Sequence, residues 1–336
     1  MKRRLRHTLV IGSTAALAGL AGLAGGSAHA STAPSKISPG TFGSVSLLPV
    51  PVTVDDLYGN GQNEVVLLGP GGLRVFGSKN GRLTSPYTIP IPTGVADYTV
   101  ANVNGDRYPD IITSNGSSDV SVYYGSAKHA FRLGQTVRFT GGGVWFTSVF
   151  DAAFRSGDRA DIAFYDGADM DIRLHNANGA YGPMTRYAVA PIDGQAFPDV
   201  GAAAVGDLTG DGRPDLVLPN SANQPWSGVE VYADSKSGQL AKPVTYPTLD
   251  SPGQMTIADL TGNGRNDLII EHDDTGYFGI MMQGPNHRLG PELLYQRPGC
   301  CNFSFGSPAV ADLNGDGRPD LAIAASNYVV VYYQNK

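Results

Sequence analysis

Short apolar runs recur along the chain at a nearly constant interval, each bounded by polar, glycine-rich segments. One set contains Val65–Leu68, Ile111–Ile112, Ile162–Phe164, Leu216–Leu218, Leu268–Ile270 and Leu321–Ile323. These runs are too short for helices and read as buried strands. A second set follows after a polar turn and alternates, as half-buried strands do: Leu73–Phe76, Val120–Tyr123, Val229–Tyr232 and Tyr328–Val331. An apolar run such as Pro308–Ala311 precedes each unit, and a fourth segment, such as Leu83–Ile91 or Leu240–Thr248, closes it. Four strands in every unit of about fifty residues predict an all-β propeller blade.

The interval is fixed by a nine-residue polar frame between the first two runs. It stands as Asp312-Leu-Asn-Gly-Asp-Gly-Arg-Pro-Asp320 and recurs at 207–215 and 259–267. A variant spans 102–110, a worn copy 56–64, and an eroded one ends at Asp161. The terminal acids at 64, 110, 161, 215, 267 and 320 lie 46 to 54 residues apart, a period that marks repeat architectures. The last unit stops at Lys336 after its third strand, while Thr41–Val50 is a surplus strand-like segment at the other end. Pairing the two would seal a ring, leaving no blade with an open edge. The 306 residues after position 30 give six blades, with seven as the alternative count.

Composition agrees with this reading. Glycine accounts for 44 of 336 residues and charged residues for 16%, which suits tight turns and argues against helical bundles or coiled coils. The formal net charge of −6 lacks the basic footprint that nucleic acid or anionic lipid requires. Four basic residues within Met1–Arg6, an Ala/Gly/Leu-rich stretch and Ala28-His29-Ala30 match a cleaved export signal over 1–30. The protein is therefore expected to be secreted, without membrane insertion, with a polar leader over 31–40 and one propeller domain over 41–336. Cleavage removes Lys2, Arg3, Arg4 and Arg6 but no acid, leaving 20 basic residues against 30 acidic, a net charge of −10.

The segment from Phe305-Gly306 through Asp312-Leu-Asn-Gly-Asp-Gly-Arg-Pro-Asp320 resembles the FG-GAP, or VCBS, repeat of the integrin α N-terminal propeller family. Calcium takes about six to eight oxygens from carboxylates, amides and carbonyls. Asp312, Asn314, Asp316 and Asp320 supply such side chains, with the Arg318 carbonyl at position 7. Glycines 315 and 317 permit the positive φ of a tight wrap. The frame is not an EF-hand, because Ile323 stands where the twelfth-position Glu belongs. The resemblance implies the same roles for Asp207, Thr209, Asp211, Arg213 and Asp215, and for Asp259, Thr261, Asn263, Arg265 and Asp267. It implies them also for Asn102, Asn104, Asp106, Tyr108 and Asp110, although Arg107 replaces a glycine. At 56–64, Tyr58 stands where a small ligand belongs, and the 151–161 loop is expected to bind nothing. The alternative reading of every loop is a metal-free Asx-type turn.

In a four-stranded meander these loops share one face, so ligands are sought on the opposite one. That face is expected to carry Tyr98, Trp145, Phe146, Phe197, Trp226, Tyr277, Phe303 and Phe305 beside polar groups such as His272, Asp273 and Asp274. Aromatic rings next to hydrogen-bonding side chains suit sugars. Of these, Trp145, Trp226, His272, Asp273, Asp274, Tyr277 and Phe303 are the candidate ligand residues; Phe305 is the motif phenylalanine and expected to be structural. Cys300 and Cys301 are adjacent and the only cysteines, so a vicinal disulfide, two buried thiols and interchain links are the options. Motifs for nucleophilic, phosphate or zinc chemistry are lacking. The sequence therefore predicts a calcium-stabilised carbohydrate-binding module. A polysaccharide lyase or hydrolase using His272 and its neighbours is the alternative from another class, and an adhesion module for a protein partner is a third reading.

Overall fold

A computed structural model describes residues 37–44, 52–69, 71–79, 82–84, 86–115, 119–127, 130–139, 148–152, 160–165, 169–176, 180–188, 203–220, 226–234, 240–273, 275–297, 307–325 and 328–334. Among them are six four-stranded antiparallel sheets and one two-stranded ribbon, Ser78–Lys79 with Arg82–Leu83. The six sheets are the blades of a β-propeller, each a meander in chain order. Blade 1 runs through Val52–Asp55, Glu64–Gly69, Gly72–Phe76 and Tyr87–Ile89. Blade 2 runs through Asp97–Ala101, Asp110–Ser114, Asp119–Tyr124 and Arg132–Arg138. Blade 3 comprises Ser148–Ala152, Asp161–Tyr165, Asp169–His175 and Tyr181–Ala188. Blade 4 comprises Ala204–Gly206, Asp215–Asn220, Gly228–Tyr232 and Val244–Pro247. Pro252–Ala258, Asp267–His272, Tyr277–Met281 and Leu293–Gln296 make blade 5.

Blade 6 is composite. Its first three strands, Ala309–Ala311, Asp320–Ala325 and Tyr328–Gln334, come from the end of the chain. The fourth, Ile37–Ser44, comes from the beginning and pairs antiparallel with the third from Ile37 opposite Gln334 to Ser44 opposite Tyr328. Closure by an N-terminal strand is thus as expected, but the strand begins at Ile37, inside the segment read as a leader. That stretch includes Pro39 and Gly40. On an outermost strand a proline loses no ladder bond that a neighbour needs, so the edge tolerates it. Residues 45–50, the rest of the predicted closing segment, lie outside the described residues.

The alternation of the strands explains why the blades pack on each other. Leu67 and Val65 point one way from the second strand of blade 1, Val66 the other. Each set enters a different cluster: Val65 and Leu67 join Ala322, Val329 and Val331 of blade 6, whereas Val66 joins Tyr98, Val100 and Ile111 of blade 2. Four further clusters fill the junctions between blades 2 and 3, 3 and 4, 4 and 5, and 5 and 6. The second strands of blades 1, 2, 4 and 5 are buried on both faces and carry apolar residues at successive positions. That is why they read as continuous runs in the sequence.

The ring's seam depends on one eight-residue strand. A chain beginning at residue 45 would leave the third strand of blade 6 as a bare hydrogen-bonding edge. It is expected to melt several degrees below a chain beginning at residue 31, since each kcal/mol lost moves the midpoint by roughly 1.6 °C at this size. Matching melting curves for the two would show that the ring does not rely on that strand.

Candidate functional site

The polar frames occupy the links between first and second strands, as the meander requires, and therefore line one face. In the loop of blade 6 the Asp312 carboxylate accepts the N–H groups of Gly315 at 2.7 Å and Asp316 at 3.1 Å on Oδ1, and of Gly317 at 2.8 Å on Oδ2. The chain can wrap so tightly because Gly315 and Gly317 have φ of 76° and 81°, a region that side chains oppose. Blade 4 repeats this around Asp207, which accepts from Gly210 at 2.6 Å and Gly212 at 2.8 Å. Blade 5 repeats it around Asp259, which accepts from Asn263 at 2.9 Å and Gly264 at 2.7 Å. Even the worn loop of blade 1 keeps the wrap, with Asn60 and Gly61 bonded to Asp56 at 2.8 and 2.6 Å.

The ninth position does something different. Asp320 is fully buried; its Oδ2 accepts the Leu313 N–H at 3.0 Å and its Oδ1 the Gln334 N–H at 3.0 Å. One carboxylate thereby ties the loop to the third strand of its own blade. Asp215 does the same with Leu208, Thr209 and Asp234, and Asp110 with Val103, Asn104 and Gly125. Asp267 bonds Gln283 at 2.9 Å, and Asp161, in the eroded loop, bonds His175 at 2.6 Å. Burial pushes Asp215 and Asp320 up to about 6, against the lowering effect of their N–H donors. In blade 1, burial and the nearby Asp56 push Glu64 up to about 7. Desolvation of this kind favours any neighbouring positive charge.

The donor set suits calcium chemically. The buried Oδ2 of Asp267 and Oε2 of Glu64 have no hydrogen-bond partner, which is the demand a cation would meet. Asp312, Asn314, Asp316, the Arg318 carbonyl and Asp320 would hold it in blade 6, and the equivalent positions in blades 2, 4 and 5. The position-5 carboxylates are turned toward arginines, Asp211 to Arg213 and Asp316 to Arg318. Among the described residues no three acidic, imidazole or thiol groups converge on one point. Arg107 in blade 2 does not adopt the positive φ of the glycine it replaces; it bonds the Tyr108 hydroxyl at 2.8 Å instead.

Sequence reasoning missed the struts between neighbouring loops. Asn63 Nδ2 of blade 1 donates to the Asp312 carbonyl of blade 6, and Asn266 Nδ2 of blade 5 to the Asp207 carbonyl of blade 4, both at 3.0 Å. In blade 3 the Ala160 N–H reaches the Asn102 carbonyl of blade 2 at 3.0 Å. The signal lay in position 8: blades 2, 4 and 6 carry Pro109, Pro214 and Pro319 there, and proline has no donor.

On the opposite face the predicted residues divide. Trp226 is 71% exposed and Tyr277 40%, at the 2–3 connections of blades 4 and 5. Asp273 is half-buried nearby in the blade 5 connection. His272 is fully buried: Nδ1 meets the Asp250 carbonyl at 3.0 Å and Nε2 meets Glu292 Oε1 at 2.6 Å. Glu292 Oε2 in turn accepts the Leu249 N–H at 2.7 Å, fastening the exit of blade 4 to blade 5. This network passes over Gly279, where a Cβ would lie 1.8 Å from Glu292 Oε1. Both imidazole nitrogens are thus engaged in holding two blades together. Tyr98 is not on the face; it is 3% exposed, and its hydroxyl donates to the Val66 carbonyl at 2.6 Å. It belongs to a first strand, whose side chains face the blade junctions. Trp145, Phe146, Phe197, Asp274, Cys300, Cys301, Phe303 and Phe305 lie outside the described residues.

An FG-GAP repeat matches residues 305–336 and an FG-GAP-like repeat residues 56–113. Repeats of this type thus stand in the first two blades and in the last of a six-bladed propeller, consistent with an FG-GAP repeat protein. Among solved structures it is similar to a chain of the Photorhabdus luminescens Tc holotoxin pore, at 16% identity and TM-score 0.54 over 88% of this chain, although it spans only 14% of that chain. An Agrocybe aegerita lectin described by its specific recognition of non-reducing terminal N-acetylglucosamine is 19% identical, TM-score 0.54, covering 85% of this chain and 80% of the lectin. A Trichoderma reesei carbohydrate-active enzyme of family AA12, described as a calcium structure, is 10% identical, TM-score 0.52, covering 90% and 97%. These likenesses concern the fold. No curated protein matches the sequence. No helix among the described residues is long and apolar enough to cross a membrane.

Asp161 isolates the structural part of the ninth-position carboxylate, because its loop lacks the other ligand types. Asp161→Ala should destabilise the protein by about 2 kcal/mol, the penalty for orphaning a buried N–H, and by the same amount with calcium or with chelator. A destabilisation that appears only in calcium would instead assign this loop a metal.

Proposed function

We propose that the protein is a secreted glycan-binding module whose propeller is stabilised by calcium in the 207–215, 259–267, 312–320 and 102–110 loops. The observation that carries the glycan reading is Trp226, an indole 71% exposed on the face away from the polar frames. A large ring held out in water is a flat apolar platform with one donor, suited to the C–H face of a sugar. Tyr277 offers a second ring on the next blade, and Asp250 and Asp273 lie half-buried in the connections of blades 4 and 5 on the same face. The lectin and the carbohydrate-active enzyme among the structural neighbours show that the fold is used for such ligands elsewhere. His272 supports the blade 4–5 junction in this account, so binding is assigned to the rings.

Calcium's part is structural. When bound it neutralises the clustered loop carboxylates and competes with Arg213 and Arg318 for them. At a free concentration ten times the dissociation constant, each site would add about 1.4 kcal/mol. The melting temperature should therefore rise in millimolar calcium and fall with chelator, and Asp312→Ala should diminish the difference. In a pull-down on insoluble polysaccharides and cell walls in calcium, the protein should enter the pellet, and Trp226→Ala should stay in the supernatant while melting normally. Equal melting with and without chelator would refute the metal; undiminished binding by the Trp226 variant would refute the platform.

A further inference from the structure

Trp226 and Tyr277, on adjacent blades, are joined by one continuous run of hydrogen bonds. Trp226 is followed by Ser227, which is 2% exposed. The Ser227 hydroxyl donates to the Leu249 carbonyl at 2.6 Å, and its carbonyl accepts the Thr248 N–H at 3.3 Å. The Leu249 N–H goes to Glu292 Oε2 at 2.7 Å, and Glu292 Oε1 meets His272 Nε2 at 2.6 Å. On the far side the His272 carbonyl accepts the Thr275 hydroxyl at 3.2 Å, and Thr275 Oγ1 accepts the Tyr277 N–H at 3.2 Å. The route thus runs from the backbone beside Trp226 in blade 4 to the backbone of Tyr277 in blade 5. At its centre stands a buried pair, the His272 side chain 0% exposed and that of Glu292 7%. Nδ1 of His272 faces the Asp250 carbonyl at 3.0 Å; a carbonyl only accepts, so Nδ1 carries a hydrogen. Nε2 and Glu292 Oε1 then share the one remaining proton.

We propose that the Glu292–His272 pair fixes the spacing of the Trp226 and Tyr277 rings, making them two coupled subsites for one glycan chain. This rests on the glycan reading above and adds that the ligand is an oligosaccharide long enough to touch both rings. Once one sugar residue lies on the first ring, capture of another by the second is intramolecular. The gain depends on how firmly the spacing is held before binding. Glu292 and His272 are buried and act through the rings, so they are positioning residues. Gly279 belongs to the same device: a Cβ there would stand 1.8 Å from Glu292 Oε1, and even a methyl group would displace the carboxylate. A pair that merely held the blades together would affect stability but not the way binding varies with ligand length.

The test uses the chain beginning at residue 31 and oligosaccharides graded in length upward from the monosaccharide, prepared from a polysaccharide that retains the protein. Affinity of the wild type should rise at least about tenfold from the monosaccharide to a chain that reaches both rings. Tyr277→Ala should abolish that rise and leave monosaccharide binding largely unchanged. Glu292→Ala should melt lower and reduce the rise to a few-fold. Glu292→Gln should restore it, because an amide can accept the Leu249 N–H on its oxygen and donate its NH2 to the neutral imidazole. Ser227→Ala removes a single hydroxyl from the run and reports the same quantity if Glu292→Ala does not fold; it too should reduce the rise. Glu292→Ala or Ser227→Ala keeping the full rise, or Tyr277→Ala keeping it, would overturn the coupled subsites while leaving the glycan reading standing. A wild type that binds the monosaccharide as tightly as the longer chains would do the same. Retention on no polysaccharide or cell wall would overturn both.

Discussion

Each blade is held by a single buried carboxylate at the end of its first loop. Asp110, Asp161, Asp215, Asp267 and Asp320 each reach the backbone of the third strand or its exit, and Glu64 is the buried equivalent in blade 1. The tie fixes where the loop sits relative to the sheet, and hence how the sheet presents its two faces to the neighbouring blades. Burying an acid in this way is unfavourable without N–H donors or a cation. The frame supplies the donors from its own backbone, and its remaining oxygens are what a calcium ion would use. Structure and proposed metal site are therefore one device, which explains why the ninth acid persists at Asp161 after the rest of that frame has eroded.

Much of the fold was legible because the periodicity had a physical cause. Second strands buried on both sides must be apolar at successive positions, and the loop before them must be polar and glycine-rich. Six units, their four strands and the closure from the N-terminus follow. What was not legible depended on pairing across blades. Nothing local in Pro39 and Gly40 reveals that they lie on an edge strand, and His272 beside two aspartates looks like a surface turn until Glu292 reaches it across Gly279. Tyr98 failed for a similar reason: its side chain turns into the junction of blades 1 and 2, where its hydroxyl reaches the Val66 carbonyl.

The site was partly legible. Trp226 and Tyr277 are exposed where the meander topology puts them, which required only the strand count. The distribution of basic residues needed the strand boundaries, since a net charge of −6 conceals twelve lysines and arginines in the 1–2 and 3–4 links against one in the remaining links between the blades' strands. Two of those residues, Arg213 and Arg318, lie on the loop carboxylates.

The central claim is that Trp226 touches ligand, and the chain's content of two tryptophans allows it to be watched directly. With Trp145→Phe removing the other indole, acrylamide quenching of the remaining fluorescence reads the accessibility of Trp226 alone. Titration with a soluble oligosaccharide released from a polysaccharide that retains the protein should shield the indole, lowering the quenching constant in a saturable manner. Quenching that stays unchanged while the same oligosaccharide demonstrably binds would place the ligand elsewhere on the ring and contradict the account.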